Sequence, residues 1–378
     1  MHWLDTETEG ALNTLSENIA SAQLLLLTNY RPEYRHEWGG KTYYTQLRLT
    51  PLGKEEAEEL LSCLLGNDAS LAPLKPLILE KTEGTPFFME EVVQTLAEDG
   101  ALSGEPGHYR LETAPTELHI SPTVQGVLAA RIDRLTAAEK ELLQQLSVIG
   151  RQFPVSLVHA VVSQTEEELH QILASLQAKE FLYEQPAFPG SEYLFKHALT
   201  QDVAYGTVLQ EQRKTLHERT GQAMEGLYRT SVVDHYSELA HHYSRSGNTE
   251  KAVEYLELAG HQAVQRSAND EAIRHFTTAL ELLQTQPDSP ARWQHELALH
   301  VALGPSLTAT QSYAAPEVGS IYLRARELCE QVGDTPEFSR CCGGCGRFIS
   351  SGRSTRRRTN WPSNCCTWLK PGPTPLFS

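Results

Sequence analysis

An unbroken run of four leucines stands out within 23–31, Gln-Leu-Leu-Leu-Leu-Thr-Asn-Tyr-Arg. Four leucines between polar neighbours are too short for a helix and too apolar for a strand with one wet face. The run predicts a parallel strand at the centre of a sheet covered on both sides. Such a strand needs neighbours, each returned by a crossover of a dozen or more residues, yet only twenty-two residues precede it. The expectation is therefore that the rest of the sheet is not encoded in this chain. In front of the run, Thr6-Glu7-Thr8-Glu9 reads as a capping box and Leu12, Leu15 and Ile19 recur at helical spacing, which predicts a helix over 6–20. Residues 44–52 alternate polar and apolar positions and predict a second strand ended by Pro51.

From Gly53 the period becomes helical, with Ala57, Leu60, Leu61, Leu64 and Leu65 on one face and further helical stretches at 74–80 and 87–96 around Gly84-Thr85-Pro86. Gly, Pro and Thr gather between Gly100 and Ser121, predicting a linker or irregular hairpin. Beyond Pro122 the pattern gives helices near 124–132, 138–149, 154–162 and 165–179. Two short apolar runs, Phe181–Glu184 and Glu192–Phe195, are separated by a Pro-Gly turn. Helices closed by such a hairpin outline a winged helix. After 233 small residues recur where helices cross: Ala240, Gly247, Ala252 and Ala259, then Gly260, Ala263, Ala272 and Ala279, with Tyr243 and Phe276 filling the gaps. This resembles a tetratricopeptide array. The spacing from Ala252 to Ala272 is twenty residues instead of the usual thirty-four, so the helix at 249–266 is expected to serve two neighbouring pairs. A further pair is expected at 289–302 and 316–331.

Charge narrows the partners. The net charge is −16, but residues 340–378 carry seven basic and no acidic side chains, leaving −23 on the rest. An acidic body argues against nonspecific nucleic-acid binding. The helix expected at 165–179 opens with Glu166-Glu167-Glu168 and would repel a phosphate backbone. No apolar stretch reaches membrane-spanning length and the N-terminus lacks a signal-peptide pattern, so a cytoplasmic protein without membrane contact is expected.

Two motifs imitate chemistry. Gly40-Lys41-Thr42 suggests a phosphate-binding loop, but Arg35 stands where that loop needs its first glycine and strand-like residues follow where it needs a helix. His295 and His300 imitate a zinc-protease helix, but at ~100° per residue they point roughly 140° apart and cannot share one ion. His235, His241 and His242 read as ordinary repeat-helix positions, with a metal site as the lesser alternative.

Several segments in order, His2-Trp3-Leu4-Asp5, Leu24-Leu-Leu-Leu-Thr-Asn-Tyr-Arg-Pro-Glu33, Gly84-Thr85-Pro86-Phe87-Phe88-Met89-Glu90-Glu91 and Phe195-Lys196-His197-Ala-Leu-Thr-Gln-Asp-Val-Ala-Tyr205, together resemble the STAND-class signalling ATPases of the AAA+ group. The likeness is greatest to large bacterial proteins that join a class III adenylyl cyclase domain, an ATPase and tetratricopeptide repeats, and that are similar to soluble adenylyl cyclases. It runs from residue 1 to about 340. It implies a mainly α fold: a remnant of an α/β P-loop NTPase sheet (1–53), a helical lid and linker (54–118), a winged-helix domain with following helices (119–232), and an α-solenoid of tetratricopeptide-like repeats (233–340). It also implies that Arg31 is the sensor at the end of the leucine strand, where a cation reads the γ-phosphate. Pro86 becomes the lid proline packed near adenine, and His197 the nucleotide sensor of the winged helix. The bland readings are a strand cap for Arg31, a helix start for Pro86 and a satisfied core histidine for His197. The intact parent would use ATP or ADP with Mg. This chain lacks the phosphate loop and Walker B acids, so it is expected to be inactive and to hold no nucleotide tightly. A protein partner would bind through 233–340. The alternative is a repeat scaffold that works without nucleotide.

After Arg340 helical periodicity and acidity vanish together, and Cys341, Cys342, Cys345, Cys365 and Cys366 crowd the tail. Cys and Trp codons both begin TG, so reading one base upstream turns each into Leu, Val or Met. The forced apolar positions 341, 342, 345 and 348, and then 361, 365, 366 and 368, fall at helical spacing. Residues 341–378 are therefore expected to be a frameshifted, disordered tail; gene sequencing that finds no continuing repeat in that frame would sink the idea. A zinc-binding tail is the weaker alternative, because Cys-Cys-x-x-Cys lacks paired Cys-x-x-Cys spacing.

Overall fold

A computed structural model describes residues 6–19, 22–30, 34–36, 38–114, 118, 120–187, 190–311 and 315–332. Arg31, His2 to Asp5 and the tail from 341 lie outside these residues. The chain divides into two compact units, one of Tyr44–Arg229 and the other of the residues on either side.

Helix α1 (Thr6–Asn18) forms as its spacing predicts. The segment after it wraps back onto the helix instead of forming a strand. Trp38 is buried and its indole donates to Asn13 Oδ1 at 2.6 Å, Tyr34 donates to Glu9 at 2.6 Å, and Tyr43 donates to the Ser16 carbonyl at 2.9 Å. Burial and the Glu9 carboxylate push the Tyr34 phenol up to about 12. Lys41 donates to Ser16 Oγ at 2.9 Å and no helix follows it, so Gly40-Lys41-Thr42 does not form a phosphate cradle.

The two strands expected at 23–30 and 44–52 do not form: both stretches are irregular, Leu25 is 89% exposed and Leu49 is 99% exposed. A strand exists only through its ladder, and among the described residues no segment pairs with either stretch. For that reason the expected α/β sheet remnant does not form among the described residues.

In the central unit, α2 (Lys54–Leu65), α3 (Leu74–Thr82) and α4 (Pro86–Glu98) share a core of Ala57, Leu61, Leu65, Leu71, Leu74, Ile78, Met89, Val92 and Leu96. The stretch expected as a linker or irregular hairpin forms a short hairpin that is tied down. Strands β1 (Leu102–Ser103) and β2 (Arg110–Leu111) pair antiparallel, and Gly107 and Tyr109 donate backbone bonds to Leu64 and Leu65 at the end of α2. Then come α5 (Val124–Asp133), α6 (Ala137–Ile149), β3 (Gln152–Pro154), α7 (Val155–Val161), α8 (Glu166–Ala178), and the hairpin of β4 (Leu182–Ala187) and β5 (Gly190–Phe195). The sheet order is β3-β5-β4, all antiparallel. Strand β3 has no counterpart among the expected elements, because three residues carry no readable period. Thr136 with Glu139 and Thr165 with Glu168 close capping boxes that start α6 and α8. Helices α9 (Ala198–Thr207) and α10 (Gln210–Leu227) complete the unit.

In the other unit α11 (Tyr236–Ser246), α12 (Thr249–Gln265), α13 (Asn269–Gln284), α14 (Pro290–Gln311) and α15 (Pro316–Val332) pack in sequence, and α12 serves both α11 and α13. A Cβ on Gly260 would stand 2.6 Å from the Phe276 ring, and one on Gly304 would stand 2.6 Å from the Tyr322 hydroxyl. The small-residue spacing thus marks real close approaches. Helix α14 runs past the expected end at 302 and through Pro305. Pro305 cannot donate to the Val301 carbonyl, but Leu303 and Leu307 on either side are buried and hold both halves in line. Among the described residues no helix is long and apolar enough to cross a membrane.

Candidate functional site

The Gly84–Pro86 turn is set by the backbone. Helix α3 ends at Glu83 with φ 50°, and Gly84 follows with φ 71°. The Gly84 carbonyl accepts from Leu52 N–H at 2.9 Å, and a Cβ at Gly84 would collide with the Leu52 carbonyl oxygen. Only glycine suits both the left-handed angle and that approach. Pro86 then opens α4 at its first helical positions, where a missing N–H costs nothing. Its ring is exposed while Phe87 is half-buried.

Phe87 brings the second expected residue to the first. Its ring lies 3.8 Å, centroid to centroid, from the His197 imidazole at an interplanar angle of 41°. His197 sits between the end of β5 and the start of α9. Its Nε2 is buried and has no hydrogen-bond partner. Burial first, and then the charges of Lys196 and Arg151, hold the imidazole below its usual range, so it is neutral near pH 7. A neutral ring can carry its proton on Nε2 and donate it to an acceptor brought against it. The arrangement therefore offers an aromatic face, an exposed proline and one unsatisfied buried nitrogen close together. Neither a metal ligand set nor a cradle of backbone N–H groups for a triphosphate accompanies them among the described residues. Of the three expected site residues, Pro86 and His197 are brought together through Phe87, while Arg31 is outside the described residues.

One turn along α4 from Phe87, Glu91 enters a buried ionic network that sequence reasoning missed. Arg131 on α5 pairs with Glu91 and with Glu98, the latter at 2.7 Å, donates to the Lys179 carbonyl at 2.7 Å, and lies 4.7 Å over the Phe181 ring. Its side chain is 1% exposed. Burial works against the charge, but Glu98 and Glu91 outweigh it and hold Arg131 protonated. A signal was present, since Glu91 and Glu98 share one face of α4 seven residues apart; their common partner comes from thirty-three residues further on.

The imitated motifs resolve into separate contacts. His295 faces Glu257 at 3.4 Å, whereas His300 faces Glu296 at 3.8 Å. Among the described residues the group spaced to hold a metal is His159, Glu166 and His170.

No family model matches the sequence. An uncharacterised protein of Rhizobium meliloti (strain 1021) is 28% identical over 336 residues, which are 88% of this chain and 32% of that protein. The chain thus spans about a third of the length of the curated relative it matches. Among solved structures, a Signal Transduction ATPase with Numerous Domains (STAND) protein with a tetratricopeptide repeat sensor, from Pyrococcus horikoshii, is similar at 13% identity and a TM-score of 0.38. The match covers 81% of this chain and 45% of that one. A score of that size is too low to establish a shared fold.

Proposed function

We propose that this chain is the sensing and repeat portion of a nucleotide-switched signalling ATPase of the STAND class, linked in the whole protein to an output domain such as an adenylyl cyclase. The observation that carries the reading is the Phe87–His197 contact with its unpartnered buried Nε2. It joins two motifs about a hundred and ten residues apart, and both come from the set that resembles this class. Helices α2–α4 act as the lid, and α5–α8 with the β3-β5-β4 sheet act as the winged helix. Helices α11–α15 present the protein-binding surface. When ATP or ADP is bound, with Mg in the intact parent, the nucleotide supplies the charge that distinguishes the two states. Pro86 and Phe87 would border the base, and His197 would donate a hydrogen bond to an oxygen or nitrogen of the ligand. Residues for the triphosphate and the metal are not among those described.

Equilibrium titration of the full chain with ADP and ATP tests this. The expected result is millimolar ADP binding that His197→Gln weakens about tenfold, the worth of one hydrogen bond to a charged group. Micromolar ATP affinity would contradict a site built from Pro86, Phe87 and His197 alone, and ADP binding indifferent to His197→Gln would contradict its role. The second reading, a nucleotide-independent scaffold, draws on the continuous packing of α11 through α15. A complete absence of ADP binding, with partner capture intact, would favour it.

A further inference from the structure

We propose that His159, Glu166 and His170 form a zinc site on the surface of the helical body of the central unit. The three residues come from two successive helices. His159 is on the short helix α7, and Glu166 and His170 sit four residues apart on α8, so their side chains share one face. One ligand atom from each lies within 4.8 Å of the other two. Ligands at ~2.0–2.1 Å from a tetrahedral ion are roughly 3.4 Å apart, so small side-chain rotations close the set. The partial exposure of all three leaves room for those rotations.

One hydrogen bond favours the Nδ1–H tautomer of His170. Its Nδ1 lies 2.8 Å from the Glu166 carbonyl oxygen, to which it donates. In the neutral ring with its proton on Nδ1, Nε2 keeps a lone pair for a ligand. A metal-bound histidine almost always carries such a second bond from its other nitrogen, because that bond orients the ring and raises its basicity. The rings of His159 and His170 stand 6.0 Å apart at 45°. Glu167 and Thr165 line a depression together with Glu166 and His170, which adds a second carboxylate to the field that attracts a cation.

The donor set selects the ion. Two imidazoles and one carboxylate suit a borderline divalent cation of the zinc kind and are poor for Mg²⁺ or Ca²⁺, which take all-oxygen shells. Three protein ligands at an exposed position leave the fourth to water. A bound ion would clamp α7 to α8 across the 162–165 turn. The helix that reads as too acidic for DNA would then owe its glutamate and histidine to a cation.

The tail cysteines would compete for zinc, so the test uses the full chain with C341S, C342S, C345S, C365S and C366S in every arm. Zinc chloride is titrated by equilibrium dialysis into this protein and into the same protein carrying His159→Gln or His170→Gln. Circular dichroism confirms that the variants fold. The expected result is one zinc equivalent in the parent at micromolar free metal, with affinity reduced about tenfold or more in each histidine variant. A zinc-dependent rise in melting temperature should appear in the parent and be absent from His170→Gln. Absence of a bound equivalent in the parent, or unchanged affinity in either histidine variant, overturns the site.

Discussion

The central unit and the repeat helices keep their parts in register by different means. In the central unit, elements distant in sequence meet through buried charge. Arg131 ties α4 to α5 and to the end of α8, and Glu139 on α6 binds Lys179 at 2.6 Å and Ser175 at 2.6 Å on α8. In α11–α15, helices that follow one another in sequence meet mainly through shape, with Phe276 set against Gly260, Tyr322 against Gly304, and Tyr243 stacked on Tyr255 at 5.5 Å, while the buried Glu296 carboxylate pairs at 2.9 Å with Arg324 on the next helix. Repeat packing is nearly one-dimensional and needs only the next helix. A body assembled from distant segments has many near-equivalent apolar arrangements, and directional ion pairs choose among them.

That contrast can be broken at its charged side first. Arg131→Ala leaves Glu91 buried without its partner and is expected to cost about 3–5 kcal/mol, read as a fall in the urea midpoint of the full chain. Glu139 follows. Burial opposes its ionised form, but Lys179, Ser175 and the Thr136 cap overcome this and lower its carboxyl from 4.5 to about 2. A depressed carboxylate stabilises above its unfolded pKa and loses that stabilisation as pH falls through the folded value. Glu139→Gln should therefore cost on the order of 3 kcal/mol near pH 7, and the gap from wild type should close between about pH 4.5 and pH 2. Melting curves across that range check it.

On the shape side, Gly260→Val drives a side chain into the Phe276 ring and should cost about 1–3 kcal/mol by overpacking, measured as a fall in melting temperature. The smallest effect is expected where leucines meet nothing. Leu25→Ser and Leu49→Ser should change stability by less than about 0.5 kcal/mol, and a larger loss in chemical denaturation would show that those residues are packed after all.

The same contrast explains what was legible in the sequence. The repeats were readable because each contact partner lies within about one helical hairpin, so Gly260 and Phe276 announce each other in one window. The helices at 6–18, 54–65 and 166–178 were readable from their apolar faces and caps. The leucine run at 24–27 has the period of a buried strand, but a strand's existence is decided by its neighbours, and pattern alone cannot supply them. In the site, Pro86 and His197 were found through motif likeness. Their meeting through Phe87 and the Arg131 network beneath it are tertiary facts, since no local window contains both partners. Glu166 was seen only as one of three acids because its companion His159 lies on the preceding helix.

The proposed function stands or falls on whether His197, held against Phe87, faces the nucleotide. The imidazole C–H signal of His197, assigned by its loss in His197→Gln, tests this most directly in an NMR titration of the full chain with ADP. The expected result is a ring that titrates below the usual histidine range in the free chain and a signal that moves steadily as millimolar ADP is added. A signal that titrates normally and stays fixed up to the highest ADP concentration would contradict it.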